Sequence, residues 1–191
     1  GNKSLYDGKT QATTADLTAP TAGAFSASTS VGNTGFTLNW SAASDNITAA
    51  PSLEYFVCSG ANASAVDSVA KCEAETSEMA YTANTLTKAI TGKTPSTTYY
   101  YNVVVRDAAG NKSLYDGKSQ ATTADVTAPT PGNSGTITTA SVTETSMTLN
   151  WTAGTDNVTA AASLEYYVCS GASIAAIDTV SECESQTQVM N

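Results

Sequence analysis

Five of the aspartates and all four cysteines have types and spacing that bear on chemistry. Asp16 opens the segment DLTAPT, Asp45 and Asn46 sit together in SDNIT, and Asp107 and Asn111 frame DAAGN. Asp125 and Asp156, the latter followed by Asn157, repeat the first two placements later in the chain. Carboxylates and amide carbonyls gathered in loops are ligands for a hard cation such as calcium. The same residue types also make turns and Asx caps with no ion, and their spacing is not that of an EF-hand loop. Both readings stand: a calcium site drawing on Asp16, Asp45, Asp107, Asp125 and Asp156, or turn chemistry. The cysteines form two pairs, Cys58 with Cys72 and Cys169 with Cys183, each separated by 14 positions. An even count at a repeated spacing suggests disulfides and an oxidising compartment. Free buried thiols are the alternative. Zinc fits poorly, because the chain has no histidine and no CxxC spacing.

The lack of histidine also removes the Ser-His dyad and the common metal triads. No glycine-rich phosphate loop occurs, and no carboxylate pair stands out for glycoside hydrolysis. The expectation is a protein that is not an enzyme. A net charge of −9 argues against nucleic acid and against an anionic membrane surface. No apolar run is long enough to span a bilayer.

The elements that must position these residues come in two copies. Residues 1–21 recur at 110–130 with only two differences, Thr10/Ser119 and Leu17/Val126. Trp40, Cys58 and Cys72 recur 111 residues later as Trp151, Cys169 and Cys183, so two extra residues lie between Thr130 and Trp151. A unit of about 110 residues suits a small β-sandwich. Within it, GFTLNW (35–40) puts Phe36, Leu38 and Trp40 on one face, and LEYFVC (53–58) does so with Leu53, Tyr55 and Val57. TYYYNVVVR (98–106) aligns Tyr99, Tyr101, Val103 and Val105. Period-two patterns predict half-buried strands, with further strands at 24–28, 84–90 and 113–121. Val66, Val69 and Cys72 are spaced by three, which predicts a short helix over 64–73 capped by Asn62 or Ser64. Residues 173–184 carry the partner helix. A Cys58–Cys72 bridge would tie the helix to the end of the preceding strand.

These residues resemble the fibronectin type III family. Trp40 in FTLNW stands where the family keeps its core tryptophan, and Trp151 repeats it. TPSTTYYYNVVVRDAAGNKS (94–113) looks like the family's second signature, with Tyr99 in the tyrosine-corner position. Lys93 stands where a leucine is usual, and the cysteine pair and helical insertion are additions. The resemblance implies an all-β chain of tandem fibronectin-type-III-like, Ig-like β-sandwiches with a short helical insertion in each. Residues 1–14 are read as the last strand of an upstream, incomplete module. Residues 15–124 form a complete module, and 125–191 a second one truncated before its last three strands. That makes the chain a window on a longer array, with strand exchange between neighbouring copies as the other reading. In such a sandwich the loops bearing Asp16, Asp45 and Asp107 meet at one pole, beside the previous module.

The fold hosts many functions, so function rests on the sites. One expectation is a structural extracellular repeat array: stalk, fibre or filament of a surface or secreted protein, with an adhesive role. Its partners would be neighbouring modules or copies of itself. The other is a glycan- or receptor-binding module of an adhesin or secreted enzyme, using outward aromatics. Alternation places Phe56 and Tyr100 outward, with Tyr6 and Tyr115 in outward or loop positions, against a background reading of cross-strand pairing. Asn46, Asn62, Asn111 and Asn157 lie in glycosylation triplets.

Overall fold

The computed structural model describes residues 1–190, which fall into two units, 1–125 and 126–190. In the first, β1 (Phe36–Asn39) pairs antiparallel with β4 (Thr87–Ile90). Residues 21–29 run beside β1 through isolated bridges, Phe25 to Trp40 and Thr29 to Thr37, where a strand over 24–28 was expected. The facing sheet is built on β2 (Glu54–Gly60) and β5 (Thr98–Arg106). β3 (Thr76–Ala83) flanks β2, while β6 (Lys112–Leu114) and β7 (Lys118–Ala121) both pair with β5. The expected strand over 113–121 is therefore two strands broken at Asp116–Gly117. Gly117 takes φ +56°, a conformation that favours glycine. β3 has no counterpart in the sequence reading.

The core lies between the two sheets. Phe36, Leu38, Trp40 and Ile90 meet Leu53, Tyr55, Val57, Tyr101, Val103 and Val105 there, all 3 % exposed or less. A second cluster forms on the opposite face of the large sheet. Cys58, Val66, Cys72 and Val104 are buried there, with Phe56, Tyr81, Tyr100 and Leu114 packed around them. This explains why YFVC and VVV read as continuous apolar runs: β2 and β5 are covered on both faces.

The cover is the insertion. A 3-10 turn (Ala63–Ala65) is capped by Asn62, whose side chain accepts from the Ala65 N–H. α1 (Val69–Ala74) follows, capped by Ser68. The expected single helix is thus split, and each part has its own cap. Cys58 and Cys72 are disulfide-bonded with Cα atoms 5.4 Å apart, so α1 is fixed to β2. Asn102, buried on β5, holds the same junction from below. Its Nδ2 donates to Val66 O at 2.8 Å, and its Oδ1 accepts from the Gly117 N–H. Gly60 leaves room for the crossing, since a Cβ there would lie 2.9 Å from the Ala65 Cβ.

The second unit holds β8 (Ile137–Ala140) paired with β9 (Thr148–Trp151), and β10 (Val168–Ser170) paired with β11 (Thr187–Met190). α2 (Val180–Glu184) is capped by Thr179, and Cys169 is bonded to Cys183. Trp151 stacks at 5.8 Å on Tyr166 but is 38 % exposed, against 3 % for Trp40.

Closing a loop of this size by a disulfide stabilises by roughly 3 kcal/mol. Replacing Cys58 and Cys72 together by alanine is expected to cost about that much in the first unit, read by denaturant unfolding, while the matching change at Cys169 and Cys183 leaves the first unit's transition in place.

Candidate functional site

Asp16, Asp45 and Asp107 come from three separate segments, and each is positioned by its own backbone. Asp45 follows β1 in an Asx turn: its Oδ2 accepts from the N–H groups of Ile47 and Thr48, at 3.0 and 2.8 Å. These bonds hold its carboxyl below the usual range, those from Thr48 and Ile47 being the main cause. Asp107 follows β5 and is 2 % exposed. Its two oxygens accept from the N–H and the Nδ2 of Asn111, both at 2.8 Å. Asp16 Oδ1 accepts from the Thr18 N–H at 3.1 Å. One oxygen from each of the three carboxylates lies within 4.8 Å of the others.

Two further contacts lock the segments together. Asn111 Nδ2 also reaches the carbonyls of Asp16 and Thr18, at 3.2 and 3.3 Å. The Ala108 N–H donates to Oγ1 of the buried Thr48. Asp45 Oδ1, in contrast, has less than 1 Å² of exposed surface and no hydrogen-bond partner.

The repeat of this arrangement is partial. Asp156 makes the same Asx turn as Asp45, accepting from Val158 and Thr159. Asp125 accepts from Asn33 Nδ2 at 3.2 Å. Among the described residues, Asp125 and Asp156 join no three-carboxylate group.

The other expected residues sit as follows. Tyr99 forms the corner: its hydroxyl accepts from the Thr94 N–H at 2.9 Å. Lys93 does not loosen that corner, because it pairs with Glu78 at 2.7 Å and lies 5.1 Å from the Tyr99 ring. Phe56 and Tyr100 do not form a free outer surface. Both are half-buried beneath the insertion, Phe56 stacking on Tyr81 at 5.4 Å. Tyr115, expected outward or in a loop, is buried, and its hydroxyl donates to Ser41 O at 2.7 Å. It continues the pairing of β6 with β5, its N–H donating to Val103 O, and so lies on the core side with Val103. Tyr6, in the first copy of the same sequence, is 93 % exposed. Asn46, Asn62 and Asn157 are exposed, whereas the Nδ2 of Asn111 is engaged in the pole described above.

Sequence reasoning missed the cluster around Tyr81. Its hydroxyl donates to Glu73 at 2.6 Å, Arg106 lies 4.0 Å from its ring, and Lys112 pairs with Glu73. Burial, then the Glu73 hydrogen bond, raises the Tyr81 hydroxyl pKa. The aromatic in TSEMAYTA was the signal available.

Two expectations follow at this pole. Asn111→Ala keeps the backbone N–H on Asp107 Oδ1 but removes the Nδ2 donor from its Oδ2 and from the Asp16 and Thr18 carbonyls, and should cost about 1–3 kcal/mol, measured by chemical unfolding. The lowered Asp45 pKa gives stability that is present above its ordinary value of 3.8 and is lost as the pH falls through the lowered folded value. Carboxyl-carbon NMR should place its midpoint below 3.8, and Asp45→Ala should flatten the acid side of the stability curve.

No protein-family model matches the chain. It is 35 % identical over 150 residues to Exoglucanase B of Cellulomonas fimi, covering 77 % of this chain and 12 % of that protein. It is 34 % identical over 149 residues to Chitinase A1 of Niallia circulans, covering 75 % and 18 % respectively. The chain thus spans less than a fifth of the length of these relatives. Among solved structures, a fibronectin type III domain of human fibronectin type III domain containing protein 3 aligns at TM-score 0.40 and 17 % identity, covering 59 % of this chain and 94 % of that one. Chitinase ChiA74 from Bacillus thuringiensis aligns at TM-score 0.43 and 23 % identity, covering 74 % and 17 %. With its core tryptophan between two antiparallel sheets and its tyrosine corner, the chain has the fibronectin type III fold, with a disulfide-tied helical insertion added.

Proposed function

We propose that the chain is a non-catalytic structural stretch of an extracellular protein, a stalk, fibre or filament segment whose modules space and orient what they connect. The observation that carries this reading is the duplicated 21-residue segment. Its two copies meet inside the first unit, where Asn111 from the second copy holds the Asp16 and Thr18 carbonyls of the first. A near-identical segment that serves both as closing strand and as entry to a sandwich suits an array with one preferred junction. Two disulfides support an oxidising, extracellular setting. The similarity to parts of an exoglucanase and a chitinase supports a module carried by larger secreted enzymes or surface proteins, with chemistry residing elsewhere in them. No helix among the described residues is long and apolar enough to cross a membrane.

One observation favours the second reading, a glycan- or receptor-binding module. A cleft of about 440 Å³ lies between the insertion and the β6–β7 turn, lined by Tyr100, Asn102, Asp67, Asp116 and Lys118. A ring flanked by polar groups is a sugar-stacking arrangement. Pull-down on insoluble polysaccharide, with and without Tyr100→Ala, separates the two: binding that depends on Tyr100 favours the second.

Single-molecule stretching tests the structural reading. The first unit should unfold at a distinct force peak, with the 14-position span between Cys58 and Cys72 withheld from extension. Reduction should lengthen the released chain by roughly 45–50 Å, the reach of that span. A trace without a force peak would count against a mechanical role.

A further inference from the structure

We propose that the second unit is a strand acceptor: its groove takes an extended segment of the repeat itself, with the sequence type of 87–121. A groove of about 550 Å³ runs along β10, lined by Leu149, Trp151, Leu164, Tyr166, Val168 and Ile177. Each has a counterpart 111 positions earlier: Leu38, Trp40, Leu53, Tyr55, Val57 and Val66. Those six are 3 % exposed or less, whereas Trp151 is 38 % exposed and the other five of the second unit are only half-buried. The strand edges repeat the contrast. β2 pairs with β3 on one side and with β5 on the other. Among the described residues β10 pairs with β11 alone, and β9 with β8 alone. An open edge beside an apolar groove is where an added strand binds, its main chain supplying hydrogen bonds and its alternate side chains filling the groove.

The first unit says what the groove should hold. There Val103 lies opposite Val57, Val105 opposite Tyr55 and Arg106 opposite Glu54, and Arg106 closes the row with an ion pair to Glu54 at 2.6 Å. The second unit keeps the receiving half of this arrangement. Tyr166 Oη accepts from the Gly154 N–H at 2.8 Å, as Tyr55 Oη accepts from the Ala43 N–H at 3.0 Å. Trp151 and Tyr166 meet at 5.8 Å and 47°, Trp40 and Tyr55 at 6.2 Å and 49°. Thr130 bridges Thr155 where Thr21 bridges Ser44. Glu165, the counterpart of Glu54, is exposed and joins none of the ion pairs among the described residues. An incoming strand therefore meets a pre-set apolar groove with an acidic end. That suits a run of alternating apolar residues followed by a cation, as in TYYYNVVVR (98–106). A second folded copy of the chain is a poor occupant, because its own β5 is already paired on both edges.

The inference is independent of the spacer reading, whose force peak arises in the first unit. Its test adds a synthetic peptide of residues 87–121 to the whole chain. The peptide has no tryptophan and Trp40 is already buried, so a change in fluorescence reports on Trp151. The expected result is one peptide bound per chain, with a blue shift of the emission. Trp151→Phe should remove the shift while calorimetry still finds binding. A peptide with both Val103→Ser and Val105→Ser should not bind. Glu165→Lys should weaken binding about two- to fivefold, and a peptide carrying Arg106→Glu should recover the loss on that variant. Absence of binding overturns the proposal, as does equal binding of the serine peptide or unchanged affinity for the Glu165→Lys chain. A blue shift that survives Trp151→Phe would place the peptide in the first unit, and a concentration-dependent dimer of the chain alone that buries Trp151 would give the groove to a second copy; either result also overturns it.

Discussion

β5 is the strand on which the first unit depends. It pairs with β2 along seven positions and carries β6 and β7 on its other edge. Its inner residues Tyr101, Val103 and Val105 complete the main core, and its outer residue Val104 floors the second cluster. Full burial of each such side chain is worth about 1.5–3 kcal/mol, so this one strand supplies apolar surface to both layers at once. The sequence GNKSLYDGK isolates its effect. At 110–118, beside β5, that sequence forms β6, the turn and the start of β7, with Tyr115 buried. At 1–9, where no strand lies alongside, the same nine residues have no regular structure and Tyr6 is exposed. Strand propensity is identical in the two cases, so the difference lies entirely in the hydrogen-bonding edge and the apolar floor that β5 provides.

The insertion answers a problem that β5 and β2 create. A sheet with apolar residues on both faces needs cover on both. One face is covered by β1 and β4. The other is covered by a six-residue helix, too short to be stable alone. Its stability is borrowed from the Cys58–Cys72 bond, from the Asn102–Val66 hydrogen bond, and from the Glu73 carboxylate, which engages both Tyr81 and Lys112. Burial alone would raise the Glu73 pKa, yet the Lys112 and Tyr81 hydrogen bonds outweigh it and the carboxyl is held low. The helix is thus anchored covalently at its buried side and electrostatically at its rim.

How far the sequence discloses all this depends on the range of the interaction. Phe36, Leu38 and Trp40, or Tyr101, Val103 and Val105, declare themselves because alternation is a property of adjacent residues. The corner at Tyr99 is equally local, its partner lying five residues away. β3 is not declared, since an edge strand with mostly exposed or half-buried side chains leaves no clean period. Tyr115 is misread because its side is set by its pairing with Val103 of β5, a contact that only folding makes. Asn102 is invisible for the same reason: its partners Val66 and Gly117 are brought to it only by folding. The acidic pole divides the same way. Which residues gather was legible from the loops, whereas the sealed Oδ1 of Asp45 is a property of the packed structure alone.

The near-identity of the two 21-residue copies then has a physical account. Each copy carries an asparagine near its front, Asn2 or Asn111, and an aspartate followed by a TAPT turn near its back, Asp16 or Asp125. Inside the first unit the front of the second copy grips the back of the first: Asn111 Nδ2 reaches the Asp16 and Thr18 carbonyls while also holding Asp107. A contact between the front of one copy and the back of another constrains both ends of the segment. A change at either end that disturbs the contact would need a matching change at the other, and in a repeated segment both ends are copied together. The two differences seen, Thr10/Ser119 and Leu17/Val126, avoid the contact's side chain. Ser119 lies on β7, paired with Tyr100 of β5. Leu17 and Val126 are 85 % and 91 % exposed. The variation between copies is therefore confined to side chains that this junction does not use.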